Sequence, residues 1–179
     1  MKTPIARVLF CLALAVAWLT PTGPVLAQAA LGDNALSYTD QDFVSQLYQE
    51  IIASQRLASM AVNDGKKGSV RSLAASVTES LRQARETVRI LARKKGVTIS
   101  DDLIAQNQDT VDQLSNSGGG DTFDRTYLDI LLQYLPRILS RCESVAATTQ
   151  DPDLKALAAS FIPMIKSRIT MVETVKSDL

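Results

Sequence analysis

Apolar residues recur along four stretches of the chain at intervals of three and four residues, the spacing of one face of an α-helix. Polar and charged residues fill the positions between them, so each stretch predicts an amphipathic helix with one buried face. The first stretch presents Phe43, Leu47, Ile51, Ala58 and Val62, and the second presents Val70, Leu73, Val77, Leu81, Ala84, Val88 and Leu91. The third presents Phe123, Tyr127, Leu131, Tyr134, Ile138, Cys142 and Val145, and the fourth presents Leu154, Leu157, Phe161, Ile165, Ile169, Val172 and Val175.

Residues that start and stop helices flank these stretches. Thr39 and Asp40 are expected to cap the first helix, and Gly65 and Gly96 are expected to end the first and second helices. The run 151–153 reads Asp-Pro-Asp, which places an acidic cap before a proline at the first helical position. The third helix is expected to begin near residue 122.

Residues 97–120 interrupt the helical rhythm. Ser100 is expected to cap a short helix that runs to Leu114, and residues 116–120 read Asn-Ser-Gly-Gly-Gly, which is typical of a loop. No stretch shows the sustained alternation of a strand. The sequence therefore predicts an all-α domain of two helical hairpins, joined by a crossover that contains a short extra helix.

The N-terminus resembles a cleavable secretory signal. Lys2 and Arg7 precede an apolar run from Val8 to Leu19, and small or apolar residues follow near position 27. An uncleaved anchor is the alternative, but the run has about a dozen residues where a membrane span needs roughly 20. We expect a signal peptide at 1–27, a flexible segment at 28–38 and a bundle domain at 39–177, hence a periplasmic or otherwise exported protein with no integral span after cleavage.

Composition narrows the functional classes. Cleavage would remove Lys2 and Arg7 and leave 17 basic against 19 acidic residues, a net charge of about −2 that does not favour nucleic acid or anionic lipid as a partner. The chain has no histidine, the usual general base near neutral pH and the commonest ligand of transition metals. We therefore expect no cofactor and no catalytic residues.

Cys142 is the one cysteine that would survive cleavage, so no internal disulfide is expected. Its place on an apolar stripe favours a buried small hydrophobe, and an intermolecular disulfide is the alternative. Pro136 and Pro163 fall inside the third and fourth helices, where each would remove a backbone hydrogen bond and kink the axis. The two kinks are expected to curve the hairpin around its core, or alternatively to open a groove for an apolar ligand or lipid.

Three motifs resemble a known family. The runs 123–127 (Phe-Asp-Arg-Thr-Tyr), 151–155 (Asp-Pro-Asp-Leu-Lys) and 162–163 (Ile-Pro) are similar to those of a bacterial exported family of unknown function. Its members are often labelled putative outer membrane proteins, and the resemblance, over residues 40–176, implies a ferritin-like four-helix bundle.

Histidines of that family fall at positions where this chain has other residues. The matching places hold Glu79-Ser80, Leu135 and Arg168, so the chain resembles a divergent member that lacks the family histidines. Glu50 looks like the glutamate that the family carries in its first helix. The resemblance implies a metal or polar site there, for which Glu50 and Glu79 are the remaining weak candidates as ligands.

The opening of the third helix supplies the other candidates. Tyr127 and Tyr134 are seven residues apart and share a helix face, so both are expected in the core with their hydroxyls at its edge. Asp124 and Arg125 lie beside Tyr127, and these residues are expected to lock the helix start against the crossover. The alternative is that Asp124, Arg125, Tyr127 and Tyr134 form a surface or ligand site.

These observations favour a non-catalytic exported bundle that acts as an interaction or structural protein of the cell envelope, with an unknown envelope protein as its partner. One alternative is a ferritin-like metal-binding protein or oxidoreductase with a carboxylate site. The other is a protein that binds a small apolar ligand or a lipid.

If the third predicted helix is a core helix, Leu131→Ala and Ile138→Ala should each lower the free energy of unfolding by about 2 to 5 kcal/mol, because each leaves a cavity. Tyr127→Phe should cost only about 1 kcal/mol, the value of one hydroxyl hydrogen bond. Urea denaturation followed by circular dichroism measures all three. A Tyr127→Phe protein of unchanged stability that has lost an envelope phenotype would contradict the core assignment.

Overall fold

The computed structural model describes residues 35–179, so the predicted signal peptide and residues 28–34 lie outside the described part. That part is all-α, as predicted, and contains no strand. Its helices are α1 (Tyr38–Asp64), α2 (Gly68–Lys95), α3 (Ala105–Ser115), α4 (Asp121–Thr148) and α5 (Pro152–Ser177). None of these helices is long and apolar enough to cross a membrane.

The four long helices form two hairpins. α1 packs chiefly on α2, and α4 packs chiefly on α5, while the hairpins meet where α1 contacts α4 and α2 contacts α5. The end of α2 lies beside the start of α5, where Lys95 pairs with Asp151. The start of α4 lies beside the α1–α2 turn, where Asp124 bonds to Lys66. The connection between α2 and α4 therefore runs the length of the bundle, and its helix α3 packs on α1 and α4.

One continuous core joins the apolar faces of all the helices. Each of the predicted stripes is buried along most of its length, since burial of apolar surface is the main force that holds amphipathic helices together. The core reaches beyond the N-terminal end of α1, because Leu36 is buried although it falls in the segment 28–38 that was expected to be flexible. Pro136 and Pro163 lie within helices that continue on both sides of them.

Two predicted helix caps differ from the observed ones. Ser37, and not Thr39 or Asp40, caps α1, because its hydroxyl accepts a hydrogen bond from the Asp40 amide at 3.1 Å. Ser100 does not cap α3, which begins at Ala105. The Ser100 hydroxyl instead accepts from the Asp102 amide at 3.1 Å, so this serine stabilises a turn. Ile104, four residues later, takes the N-cap position of α3.

The start of α5 follows the prediction. Asp151 accepts a hydrogen bond from the Leu154 amide at 2.9 Å, and Pro152 takes the first helical position. The same carboxylate receives the ammonium of Lys95, the last residue of α2, at 2.5 Å. Lys95 also reaches Asp153 at 3.0 Å, and its side chain is only 2% exposed. A buried ion pair therefore ties the first hairpin to the second at this end of the bundle.

Lys95→Ala should lower the free energy of unfolding by about 3 kcal/mol, because it removes one partner of a buried ion pair and leaves Asp151 without its cation. Lys94→Ala is the matched control. Lys94 pairs with Asp153 at 2.8 Å but is 52% exposed, so its loss should cost no more than about 1 kcal/mol. Chemical denaturation of both variants measures the difference, and equal costs would contradict a structural role for the buried pair.

Candidate functional site

A cleft of about 810 Å³ opens between α1, α3 and α4. Gln46 and Glu50 from α1, Asn107 from α3, and Tyr134 and Arg141 from α4 contribute to its polar wall. Three separate segments of the chain therefore meet there, and the start of α3 contributes Ile104, Gln106 and Asn107. The cleft exists only because the α2–α4 connection is held at a fixed distance from α1.

Gln49 sets that distance. Its side-chain amide donates to the carbonyls of Ser100 at 2.8 Å and Asp102 at 2.9 Å, and its amide oxygen accepts from the Ile104 backbone at 2.9 Å. Gln49 is buried, so these hydrogen bonds replace those that water would make. Ser45 adds a fourth bond to the connection, from its hydroxyl to the Thr98 carbonyl at 3.2 Å.

A second group of bonds anchors the same connection to α2. The hydroxyl of the buried Tyr48 donates to the Asp101 carboxylate at 2.5 Å and accepts from Arg85 at 3.2 Å and Arg89 at 2.6 Å. Both guanidinium groups also lie 5.7 Å from the Tyr48 ring centre. Hydrogen bonds from Tyr48 and Arg85 lower the pKa of the Asp101 carboxyl to about 2. Asp101 therefore stays ionised and binds both arginines.

Glu50 and Arg141 form an ion pair in the wall of the cleft. Arg141 also donates to the side-chain oxygen of Gln46, one turn before Glu50 on α1. Burial lowers the pKa of the Arg141 guanidinium, because desolvation disfavours its charged form. The charge of the buried Glu50 is thus matched by an arginine from α4, which also joins the two hairpins along the side of the bundle.

Asn107 is the unusual residue of the cleft. It is 5% exposed, and its side-chain oxygen accepts a hydrogen bond from the Tyr134 hydroxyl at 3.1 Å. Its side-chain nitrogen Nδ2 is buried and has no hydrogen-bond partner among residues 35–179. A buried donor without a partner lowers the free energy of unfolding by about 1 to 3 kcal/mol. Asn107 therefore destabilises the domain unless a bound molecule supplies an acceptor.

Arg137 stands beside Asn107 across Tyr134. Its guanidinium lies over the Tyr134 ring, 5.4 Å from the ring centre, within the range of a cation–π interaction. Arg137 is exposed, and within the described part of the chain no acidic side chain pairs with it. Burial raises the pKa of the Tyr134 hydroxyl, which therefore remains protonated and can keep donating to Asn107. Tyr134 thus contacts the Arg137 guanidinium with its ring face and the Asn107 amide with its hydroxyl.

The candidate residues at the start of α4 do not form one site. Asp124 is fully buried and accepts from the backbone amides of Lys66 at 2.9 Å and Lys67 at 2.8 Å, so it holds the α1–α2 turn and not the crossover. Arg125 is exposed. Tyr127 is buried in the core, where desolvation raises the pKa of its hydroxyl. Tyr134, by contrast, lies in the wall of the cleft, two turns further along α4.

Gly65 is required by the close approach of its own backbone to the Ala61 carbonyl at the end of α1. A Cβ atom at this position would lie 2.5 Å from the Ala61 carbonyl oxygen and 3.5 Å from a carboxylate oxygen of Asp124. The first distance is too short for any side chain, so glycine is required where α1 ends.

Glu50 and Glu79, the candidate metal ligands, have different surroundings. Glu79 is exposed on α2 and accepts from Arg82 at 2.6 Å and from Gln83 at 2.9 Å. The hydrogen bond from Arg82 is the main reason that the pKa of Glu79 falls to about 2. Glu50 is buried and paired with Arg141. In the part of the chain that the structure describes, no three His, Cys, Asp or Glu side chains are grouped to hold a metal ion.

The positions that match the family histidines do converge. Arg168 on α5 donates to the Ser80 hydroxyl on α2 at 2.9 Å, and Arg168 lines a cavity of about 20 Å³ together with Glu50 and Leu135. Arg168 is buried, and desolvation lowers its pKa. An arginine–serine pair and a leucine therefore fill the centre of the bundle where the resemblance implied nitrogen ligands.

Cys142 is fully buried, and burial raises the pKa of its thiol to about 11. It packs as a small hydrophobe, so an intermolecular disulfide would require α4 to open. Two cavities of about 10 and 20 Å³ lie at the centre of the bundle, between α1, α2, α4 and α5. Each has room for about one water molecule.

Sequence reasoning missed Asn107, Arg137 and Arg141. Arg137 and Arg141 are four residues apart on α4, as Gln46 and Glu50 are on α1, so each pair lies on one helix face. That spacing was a usable signal for facing polar patches. Asn107 carried no such signal, because its bond to Tyr134 joins residues 27 positions apart.

The pKa of Asp101 gives the domain an acid-sensitive contact. Because this pKa is about 2 in the folded chain and about 3.8 in the unfolded chain, the carboxylate stabilises the fold fully above about pH 4. Its contribution is lost as the pH falls from about 4 to about 2. Asp101→Asn should therefore destabilise the domain at pH 6 and differ less from the parent chain at pH 2. Thermal unfolding across this range measures the effect.

Asp109→Asn is the control for that series, because Asp109 is exposed on α3. It should follow the parent chain at every pH. A stability difference for Asp101→Asn that stays constant from pH 6 to pH 2 would contradict the assigned network.

Comparison with known families and structures places this geometry in context. The family model described as "Domain of unknown function (DUF4142)" matches residues 25–175. A crystal structure of a DUF305 fragment from Deinococcus radiodurans is similar at a TM-score of 0.71 and 16% identity, over 81% of this chain and 99% of that chain. CopM in the Cu(I)-bound form is similar at a TM-score of 0.65 and 14% identity, over 79% of this chain and 98% of that chain. At these identities the likeness concerns the fold alone. The comparison with curated proteins found no match.

Proposed function

The chain belongs to the DUF4142 domain family, and on that premise we propose that it is a non-catalytic, exported helical bundle of the cell envelope. In this proposal it acts by binding another molecule in the cleft between α1, α3 and α4. The two hairpins and their crossover also support a ferritin-like relationship for the bundle.

One observation carries the proposal, the buried and unpaired side-chain nitrogen of Asn107, a residue that lines the cleft. Most buried polar groups in folded proteins have a hydrogen-bond partner, and an exception calls for an explanation. A bound molecule with an acceptor atom would supply the missing partner. The cleft of about 810 Å³ is within the size range of small-molecule sites, roughly 300 to 1,000 Å³.

The pairing of polar side chains inside the bundle supports the non-catalytic part of the proposal. The polar side chains near its centre are already engaged with one another, Glu50 with Arg141 and Arg168 with Ser80. Burial raises the pKa of the Tyr127 hydroxyl, so it stays protonated near neutral pH and is a poor base or nucleophile there. These groups serve packing and pairing, and they offer no activated nucleophile.

The proposal of export draws on the sequence of residues 1–27. Lys2 and Arg7, followed by the apolar run from Val8 to Leu19, have the order of a secretory signal. Mass spectrometry of the protein from a periplasmic fraction would locate the new N-terminus, which we expect near residue 28.

Copper binding is a second candidate, favoured by the fold likeness to CopM in the Cu(I)-bound form. Cu(I) prefers soft sulfur ligands. Cys142 is fully buried with a raised thiol pKa, and the carboxylates of Glu50 and Glu79 are hard ligands engaged with arginines. These thiol and carboxylate donors fit copper poorly, and the thioethers of Met60, Met164 and Met171 are the other soft donors in residues 35–179. Metal analysis of the protein purified from copper-supplemented cells tests it, and stoichiometric copper would support this candidate.

Photo-crosslinking from the cleft tests the binding proposal. Ser140 is exposed at the cleft, so Ser140→Cys can carry a thiol-linked photo-crosslinker there. Cys142 does not compete for the label because it is fully buried. We expect the labelled protein, irradiated in envelope extract, to gain a discrete added mass, protein or small molecule.

Ser167→Cys is the matched control, because Ser167 is an exposed serine on α5, away from the cleft. It should give no such product under the same irradiation. Identical product patterns from the two positions, or none from either, would contradict binding at the cleft.

A further inference from the structure

We propose that the cleft binds a small organic carboxylate, with the carboxylate group on Arg137 and an oxygen acceptor of the molecule on the Asn107 nitrogen. This inference rests on the proposed binding role of the cleft and adds to it the chemical class of the occupant. It draws on the lack of an acidic partner for Arg137 in residues 35–179, on the geometry around Tyr134 and on the apolar part of the wall.

Four charged side chains line the cleft, Asp42, Glu50, Arg137 and Arg141, so its formal charge is zero. Glu50 is neutralised by Arg141, which burial and a hydrogen bond to Gln46 hold in place. Asp42 is exposed and accepts from the Gln46 side-chain amide at 2.7 Å. Arg137 has no acidic partner in residues 35–179, so an anion that enters the cleft meets its positive charge.

Arg137 is also positioned in advance for an oxyanion. Its guanidinium rests against the ring of Tyr134, and this contact limits the rotamers that an exposed arginine would otherwise sample. A guanidinium group presents parallel N–H donors that match the two oxygens of a carboxylate. Tyr134 is itself held by its hydrogen bond to Asn107. The two donors of the site are therefore fixed relative to each other by one buried side chain.

The rest of the wall favours an organic molecule over an inorganic anion. Ile104, at the start of α3, is 46% exposed although it is a large apolar residue, and Pro136 is exposed on α4. Both line the cleft and present apolar surface to whatever occupies it. A carbon skeleton that covers these two residues would bury that surface, whereas phosphate or sulfate would leave it in water.

A titration monitored by NMR tests the inference on the full domain. Benzoate is the probe, because it joins a carboxylate to a small apolar ring, and the side-chain amide signals of Asn107 in a nitrogen–proton correlation spectrum are the readout. Asn107→Asp assigns those signals. We expect benzoate to shift them saturably, with a dissociation constant in about the millimolar range or tighter.

Benzamide tests whether the ligand must carry a negative charge, and inorganic phosphate tests whether it must carry an apolar group. Benzamide, the neutral isostere of benzoate, should bind at least about tenfold more weakly, because the charge-assisted hydrogen bonds to Arg137 are lost. Inorganic phosphate should also bind more weakly than benzoate. If benzamide or phosphate binds as well as benzoate, an organic carboxylate is the wrong class.

Variants of exposed arginines on α4 locate the contact. Arg137→Gln should raise the dissociation constant of benzoate at least about tenfold. Arg125→Gln removes the same charge from the same helix, but Arg125 does not line the cleft, and the affinity should stay within about twofold of the parent chain. Equal losses in the two variants would show attraction by net charge and overturn the site.

The benzoate titration can fail independently of the crosslinking experiment that tests the proposed function. If Ser140→Cys yields a crosslinked product while benzoate leaves the Asn107 amide signals unchanged, the cleft binds a molecule of another class and the carboxylate inference falls alone. If neither experiment gives a signal, both fall. Because Arg137 and Arg125 are exposed, neither substitution is expected to unfold the domain, and circular dichroism of each variant checks this.

Discussion

The hydrogen bonds of one buried amide, that of Gln49, decide whether the long connection between α2 and α4 has a fixed place. Val97, Val111 and Leu114 of the connection join the core, but such apolar contacts are not directional and the connection has only one short helix, so packing alone does not set its position. Gln49 binds it at three backbone atoms, and the Tyr48–Asp101–Arg89 group binds it from the neighbouring face of α1. These bonds fix the position of α3, which supplies one wall of the cleft.

Charged and polar contacts at both ends and along the side of the bundle hold the two hairpins in register. At one end Asp151 caps α5 and receives Lys95 from α2, and at the other end Asp124 holds the α1–α2 turn against the start of α4. Between them, Arg141 joins α4 to Glu50 on α1. Apolar burial supplies most of the stability, but it is not directional, so these contacts specify which helix ends meet.

Most of what the sequence predicted depends on local order, and most of what it missed depends on distant partners, although the Ser37 cap of α1 is a local contact that it also missed. The start of α5 was predictable because Asp151 caps an amide only three residues away. The start of α3 was not, because the carbonyl of Ser100 bonds to Gln49, 51 residues earlier, and its hydroxyl bonds within a turn. The hydrogen bond between Tyr134 and Asn107 was missed for a similar reason, since only the folded crossover brings these two residues together.

The guanidinium of Arg168 has a consequence for the chemistry that the centre of the bundle can support. A histidine at a bundle centre can release its proton and offer a lone pair, whereas an arginine keeps its charge at every physiological pH and has no lone pair to offer. The chain therefore holds a permanent cation beside Glu50 and Leu135, bonded to Ser80. Electrostatic repulsion would oppose any metal ion at that point. A metal site at the centre of the bundle would therefore need another residue in place of Arg168.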